Sequence, residues 1–203
     1  IHLPAGTDAA WSRAVAADHE FHYARLVEWF KGAPGGPITS WVFANEDQKA
    51  ELIGARGTMI ARPWSHELFI HGLSKEHRVL GHELAHVFAA QWNDGLLAVP
   101  ARAGLLVRAG LIEGLAEATE EPRGALSHHQ GAAVMKELGI LPPIRDLMAP
   151  AGFWAQASSR SYIAAGSFIR WVRAEHGLEW LRAAYASGRE PVPDGWVESW
   201  ERF

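Results

Sequence analysis

Two histidines lie four positions apart, with a glutamate directly after the first, in the stretch RVLGHELAHVFAAQW (residues 78–92). On an α-helix, positions i and i+4 share one face, so the imidazoles of His82 and His86 can point at one cation. Imidazole nitrogen is a common zinc ligand, and Glu83 can reach a water on that cation without binding the metal itself. This is the HExxH pattern, in which the glutamate is the expected general base. The stretch therefore predicts a zinc-binding active-site helix.

A second interpretation of the same stretch needs no metal. His82 and His86 could be hydrogen-bonded residues of an amphipathic helix whose core face consists of Leu80, Leu84, Val87 and Phe88. Only the zinc interpretation requires a further residue elsewhere in the chain, because a catalytic zinc needs a third protein ligand and an open coordination position.

The third ligand has to come from another element of the chain. The chain contains no cysteine, and Trp92 stands where the extended pattern HExxHxxGxxH would place its third histidine. The stretch GLIEGLAEATEE (110–121) offers Glu113 and Glu117, again four positions apart on one helix face. Gly114 and Ala116 are small enough to allow close approach of a neighbouring helix.

Acidic residues on a helix most often face solvent, which is the alternative for this stretch. However, Glu117, Glu120 and Glu121 crowd the end of a helix that Pro122 stops, where the helix dipole disfavours anions. This crowding predicts a nearby dication or a buried histidine partner.

The segments HELAH (82–86) and EGLAE (113–117) together resemble the gluzincin metallopeptidases. Within that group they most resemble the small peptidase MA-like domains. The resemblance implies that Glu113 is the third zinc ligand beside His82 and His86. It also implies that Glu117 supports a ligand histidine from outside the coordination sphere.

Three departures from that family limit what the resemblance implies. The gap between His86 and Glu113 is longer than in thermolysin or the aminopeptidases, and Gly110-Leu111-Ile112 replaces the usual Trp-Leu-Asn/Ser. The GxMEN segment that grips a free substrate amine is absent, so aminopeptidase activity is not implied.

The stretch RSYIAAGSFIRWVRAEHG (160–177) resembles the helix that follows in peptidase MA-like domains. Tyr162 stands where gluzincins often place a tyrosine that hydrogen-bonds the oxyanion, although it could equally be a half-buried aromatic residue. Arg160 is a second donor candidate. His128 and His129 could also supply a donor, or could be exposed loop or N-cap residues.

The patterning along the chain predicts an α+β fold, with a sheet-containing part at about 1–73 and a mainly helical part at about 74–203 of one zincin-like domain. Helices are expected at 8–31, 45–54, 74–92, 103–121, 127–138, 160–176, 178–187 and 194–202, and strands within 38–44 and 58–72. Pro63 should place its strand at a sheet edge. The strand HELFIH (66–71) is expected to edge the cleft and pair with an extended peptide, with His66, Glu67 and His71 as surface or cleft-wall residues.

The composition argues against several classes of partner. Lys and Arg total 19 against 23 Asp and Glu, a net charge of −4, and no basic run indicates nucleic acid or anionic lipid. No apolar run is long enough to cross a bilayer, so no membrane segment is expected in this chain.

The sequence therefore predicts a zinc metallopeptidase, of endopeptidase type, acting on a peptide or protein. Glu83 would activate a zinc-bound water, and Tyr162 would stabilise the oxyanion. One alternative is a catalytically silent zinc-binding module that acts as a sensor or binds a partner. Another is a helical interaction domain without metal, with the ten Trp residues forming its binding surfaces.

Overall fold

The computed structural model describes residues 1–72, 79–102, 106–120, 124–156, 158–188 and 192–203. Helices dominate and a small mixed sheet accompanies them, so the predicted α+β class is confirmed. The chain packs as two compact units, Ile1–Gln91 and Trp92–Phe203.

The described residues of the first unit form a three-stranded sheet and three helices. Its elements are α1 (Ala9–Phe30), β1 (Thr39–Phe43), α2 (Glu46–Ile53), β2 (Ile60–Arg62), β3 (Glu67–His71) and α3 (Leu80–Ala90), with a 3-10 turn at Pro63–Ser65. The strand order is β1-β3-β2, with β1 parallel and β2 antiparallel to β3. As predicted from Pro63, β2 lies at a sheet edge.

Capping residues fix where the early helices begin. The carboxylate of Asp8 accepts a hydrogen bond from the Trp11 backbone N–H, and the Asn45 side chain accepts one from the Gln48 N–H. Each side chain satisfies a backbone donor that the first turn of a helix leaves unpaired. The predicted helices at 8–31 and 45–54 are thus confirmed.

Helix α3 lies in the core of the first unit. All eleven of its residues, including both histidines and Glu83, are buried. The Phe88 ring packs against Phe30 and Tyr23 of α1, at centroid distances of 5.5 and 5.2 Å. The helix was predicted at 74–92, and in the structure it ends earlier, at Ala90. Residues 74–78 of the predicted helix lie outside the described residues.

The second unit is mainly helical. Its elements are β4 (Ala101–Arg102), β5 (Leu106–Val107), α4 (Ala109–Thr119), α5 (His128–Glu137), α6 (Ile144–Met148), α7 (Gly152–Ala155), α8 (Ser159–Ser187) and α9 (Trp196–Trp200). The helix predicted at 103–121 begins only at Ala109, since Leu106–Val107 pairs with β4 as a strand. Gly177, at φ 81°, breaks α8 where the boundary between two helices was predicted.

Small residues let α8 pack closely against α4 and α5. A Cβ atom added at Gly114 of α4 would lie 3.0 Å from the Ala165 Cβ of α8. One added at Gly166 would lie 2.8 Å from Glu117 Cγ and 3.2 Å from His128 Cδ2. The close approach that the sequence predicted at Gly114 is therefore confirmed.

Across the part of the chain that the structure describes, no helix combines the length and the apolar character needed to span a membrane.

Candidate metal centre

Helix α3 presents two imidazoles on one face. His82 and His86 are 7% and 8% exposed, and their rings lie edge to face with centroids 4.9 Å apart. This is the geometry expected of positions one turn apart on a helix. Both histidines are enclosed enough to be shielded from bulk water, which strengthens the binding of a cation.

Glu113 of α4 forms a group of three potential metal ligands with His82 and His86. One ligand atom each of His82, His86 and Glu113 lies within 4.8 Å of the other two, so the group could hold a metal ion. Within the described residues this is the one group of three or more histidine or acidic side chains with that property. Glu113 itself is half-buried.

The chemistry of this donor set fits zinc. Two imidazoles and one carboxylate form a known catalytic set, which leaves the fourth tetrahedral position open. Tetrahedral ligands at zinc lie roughly 3.4 Å from one another, given bond lengths of about 2.0–2.2 Å. The three ligand atoms, which lie within 4.8 Å of one another, would have to reach that spacing when zinc binds.

Glu83, the expected general base, is buried and has a cation in its electrostatic surroundings. Lys49 of α2 is fully buried, and its Nζ donates a hydrogen bond to the Thr58 carbonyl. Burial lowers the pKa of Lys49, while the negative charges of Glu83 and Glu46 oppose that shift. Sequence patterns do not reveal the burial of this residue, because a lysine on a short polar helix is normally exposed.

Glu117 of α4 is paired with a buried histidine. Its Oε1 accepts a hydrogen bond from His128 Nε2 at 3.0 Å, and both residues are about 95% buried. The crowding of carboxylates at the end of α4 predicted a dication or a buried histidine partner, and the histidine is present. The support that Glu117 would give to a ligand histidine stays a prediction. Glu121 and Pro122 lie outside the described residues.

The interpretation of His128 and His129 as exposed residues is wrong. Ser127 caps α5 by accepting a hydrogen bond from the Gln130 N–H, and this cap places His128 in the first turn, against α4. His129 is half-buried, and its Nδ1 lies 3.0 Å from the Ser167 hydroxyl of α8. Tertiary packing, which local patterning does not reveal, determines both positions.

Tyr162 is half-buried near the start of α8. Its ring packs edge-on against Phe153, with centroids 5.0 Å apart. Tyr162 lines the same cavity as Glu117 and His128, whereas Arg160 is exposed. Its role as oxyanion donor stays a prediction.

The strand at 66–71 does not edge a cleft, so this prediction is wrong. β3 is the central strand, paired with β1 on one side and with β2 on the other. Glu67 accepts hydrogen bonds from the Ser65 hydroxyl and the Trp41 indole N–H, which lower its pKa. Within the described residues, His66, Glu67 and His71 join no group of three potential metal ligands.

Tyr185 of α8 is a buried residue that the sequence did not single out. Tyr185 is 1% exposed, and its hydroxyl has no hydrogen-bond partner among the residues that the structure describes. Burial raises the pKa of this hydroxyl, and the negative charge of Glu113 raises it further. Tyr185 therefore lies within electrostatic reach of the third potential ligand.

Replacing Tyr185 with phenylalanine should leave the free energy of unfolding unchanged or raise it by up to about 1 kcal/mol, because the change removes an unsatisfied buried hydroxyl. Urea denaturation of the metal-free protein would measure the difference. A loss of more than about 1 kcal/mol would show that the hydroxyl has a partner in solution, such as an enclosed water.

The chain matches none of the protein-family models, curated proteins or solved structures with which it was compared. The functional assignment therefore depends on the residues of the candidate metal centre and their surroundings.

Proposed function

We propose that this protein is a zinc-dependent peptidase of the gluzincin type, with a zincin-like fold and endopeptidase activity on peptides or proteins. The observation that carries the proposal is the grouping of His82, His86 and Glu113, whose ligand atoms lie within 4.8 Å of one another. Two imidazoles and a carboxylate, with a glutamate directly after the first histidine, suit zinc-dependent hydrolysis.

Two residues of the chain would act in hydrolysis together with the metal. Zinc, when bound, would polarise the scissile carbonyl and stabilise developing negative charge. Glu83 would accept a proton from the attacking water and pass it to the departing amine. Tyr162 would donate a hydrogen bond to the oxyanion, an interaction that is stronger in the transition state than in the substrate complex.

The open sheet edge offers a place for an extended substrate. Within the described residues, β2 (Ile60–Arg62) pairs only with β3, so its other edge keeps backbone donors and acceptors for a peptide. Such pairing recognises the main chain and is largely independent of the substrate's sequence. β2 thus takes the substrate-binding role that the sequence assigned to the strand at 66–71.

Metal analysis combined with a peptidase assay tests the proposal. The purified protein should hold one zinc per chain and cleave members of a mixed peptide library, and a chelator should abolish cleavage. Zinc without any cleavage would indicate the silent zinc-binding module instead. Absence of zinc would indicate the helical interaction domain and contradict the proposal.

Replacing Tyr162 with phenylalanine should lower kcat and kcat/KM together, by on the order of 10²–10³, because one oxyanion donor is lost. Phenylalanine keeps the edge-on contact with Phe153, so zinc content and stability should not change. Steady-state kinetics on one peptide would measure the effect. A decrease of less than about threefold would make Tyr162 a packing residue, since an oxyanion donor contributes far more.

A further inference from the structure

Trp64 is one of two tryptophans that the fold leaves exposed. The chain has ten tryptophans, of which Trp64 and Trp154 are 52% and 58% exposed, whereas the others are half-buried or buried. The Trp154 ring packs edge to face against Phe153, with centroids 5.6 Å apart. Among the described residues, no hydrogen bond or ring contact engages the Trp64 indole. A single exposed aromatic residue is common on a protein surface, so its surroundings decide whether it binds a ligand.

The turn that carries Trp64 is held in place on both sides. Pro63, directly before it, is buried, and the Pro63 carbonyl accepts a hydrogen bond from the His66 N–H at 3.3 Å. The carbonyl of His66 in turn accepts a hydrogen bond from the Thr39 N–H of β1 at 2.9 Å. The fold therefore fixes the backbone at Trp64, and a ligand that binds there pays little conformational entropy for ordering it.

The same turn lies beside the helix that carries two of the potential metal ligands. Both β2 and the 3-10 turn at Pro63–Ser65 pack against α3, on which His82, Glu83 and His86 lie. These elements all belong to the first unit. A peptide paired with β2 would therefore lie near the active-site helix and near Trp64 at the same time.

The position of Trp64 along the edge strand brings it within reach of a substrate side chain. Within the described residues, the outer edge of β2 (Ile60–Arg62) has no partner strand. Trp64 follows the end of β2 by two residues, and an extended peptide advances about 3.3 Å per residue. A peptide that continues past Arg62 thus comes level with Trp64 within roughly two residues. Because alternate side chains of such a peptide point to the same face, one of them can cover the indole.

The indole is a broad apolar surface, and a large apolar side chain covers it best. Aromatic side chains pack against such a ring in offset or edge-to-face pairs, and leucine or methionine side chains also remove apolar area from water. A small or acidic side chain gains much less from this contact. The β2 edge would recognise the main chain of any peptide, whereas the indole would recognise one side chain.

We propose that Trp64 binds a large apolar side chain of the peptide substrate, aromatic or leucine-like, and makes the protein selective for such residues near the scissile bond. The inference rests on the proposed peptidase function for the identity of its ligand, a peptide paired with β2. Trp64 is in this account the residue that determines specificity, and it takes no part in the chemical steps.

A matched set of peptides tests the inference. Peptides that differ at one position, as Phe, Leu, Ala, Asp or Arg, would be scanned across the cleavage site at saturating zinc. At the position that contacts Trp64, the Phe and Leu peptides should have kcat/KM values on the order of 10-fold or more above that of the Ala peptide. In Trp64→Ala this preference should fall to less than about threefold, since the apolar contact is lost. Trp64→Phe keeps a smaller aromatic surface and should retain part of the preference.

The ratio between two peptides on the same enzyme is the decisive quantity, because it cancels any loss of zinc or of folded protein. Trp154→Ala is the matched control, since it removes the other exposed tryptophan, on α7 of the second unit. The preference for Phe and Leu should survive in this control. An unchanged preference in Trp64→Ala, an equal loss in both alanine variants, or no such preference in the wild type would overturn the inference while leaving the peptidase function intact.

A binding measurement separates the inference from the proposed function. Fluorescence anisotropy with two labelled peptides that differ only in a Phe or an Ala residue would be carried out on Glu83→Gln, and on the same protein with Trp64→Ala added. Tighter binding of the Phe peptide that Trp64→Ala removes would support the inference even if no peptide is cleaved. Equal binding of both peptides to Glu83→Gln would overturn it.

Discussion

Replacing Glu83 with glutamine should lower kcat by roughly 10²–10⁴ while the protein keeps its zinc, because glutamine has no basic oxygen to accept the proton of the attacking water. Glutamine has the same size as glutamate, so the buried position on α3 should tolerate it. Steady-state kinetics on a cleaved peptide, with zinc content measured in parallel, would give both quantities.

Glu120→Gln provides the control for this prediction, since it removes another buried carboxylate of the chain. It should change kcat by less than about threefold, as expected for a change that leaves the transition state untouched. A Glu83→Gln protein that retains more than about a tenth of the activity would rule out Glu83 as the general base, given the size of that contribution. The peptidase mechanism would then need another proton acceptor.

Replacing Glu113 with alanine should have the second large effect, namely loss of the zinc. The change leaves two imidazoles, one fewer than the three protein ligands of a catalytic zinc site. We expect stoichiometric zinc in the wild type and little zinc in Glu113→Ala after dialysis against a weak chelator. Competition with a zinc-binding dye would measure the affinities.

Glu117→Ala is the matched comparison, because the residue lies one turn along the same helix and is bonded to His128 rather than placed among the three potential ligands. It should retain zinc with an affinity lowered by about 10- to 100-fold, as expected for a residue outside the coordination sphere. If Glu117→Ala loses the metal and Glu113→Ala keeps it, the assignment of the third ligand is wrong.

Local patterns predicted the elements of the site but not all of their surroundings. The helical period and the HExxH spacing indicated α3, and the spacing of Glu113 and Glu117 indicated one face of α4. The carboxylates at the end of α4 required compensation for the helix dipole, and this physical argument anticipated the buried partner that His128 provides. Such predictions depend on residues that are close in sequence.

The wrong predictions, and the features that the sequence did not predict, depended on contacts between distant residues or on very short elements. The sequence of β3 does not reveal that it is the central strand, because strand order depends on how β1 and β2 pair with it. His128 and Lys49 belong to residue types that are usually exposed or only partly buried, and packing encloses both. The short helices α6 and α7 are only five and four residues long, too short for a periodic pattern.

A crystal structure of the zinc-loaded protein, with anomalous diffraction recorded at the zinc absorption edge, would show which residues bind the metal. We expect one anomalous peak, at about 2.0–2.2 Å from one nitrogen each of His82 and His86 and from a carboxylate oxygen of Glu113. A peak bound by other residues, such as Glu117 and His128, or no peak at all in crystals soaked with zinc, would contradict it.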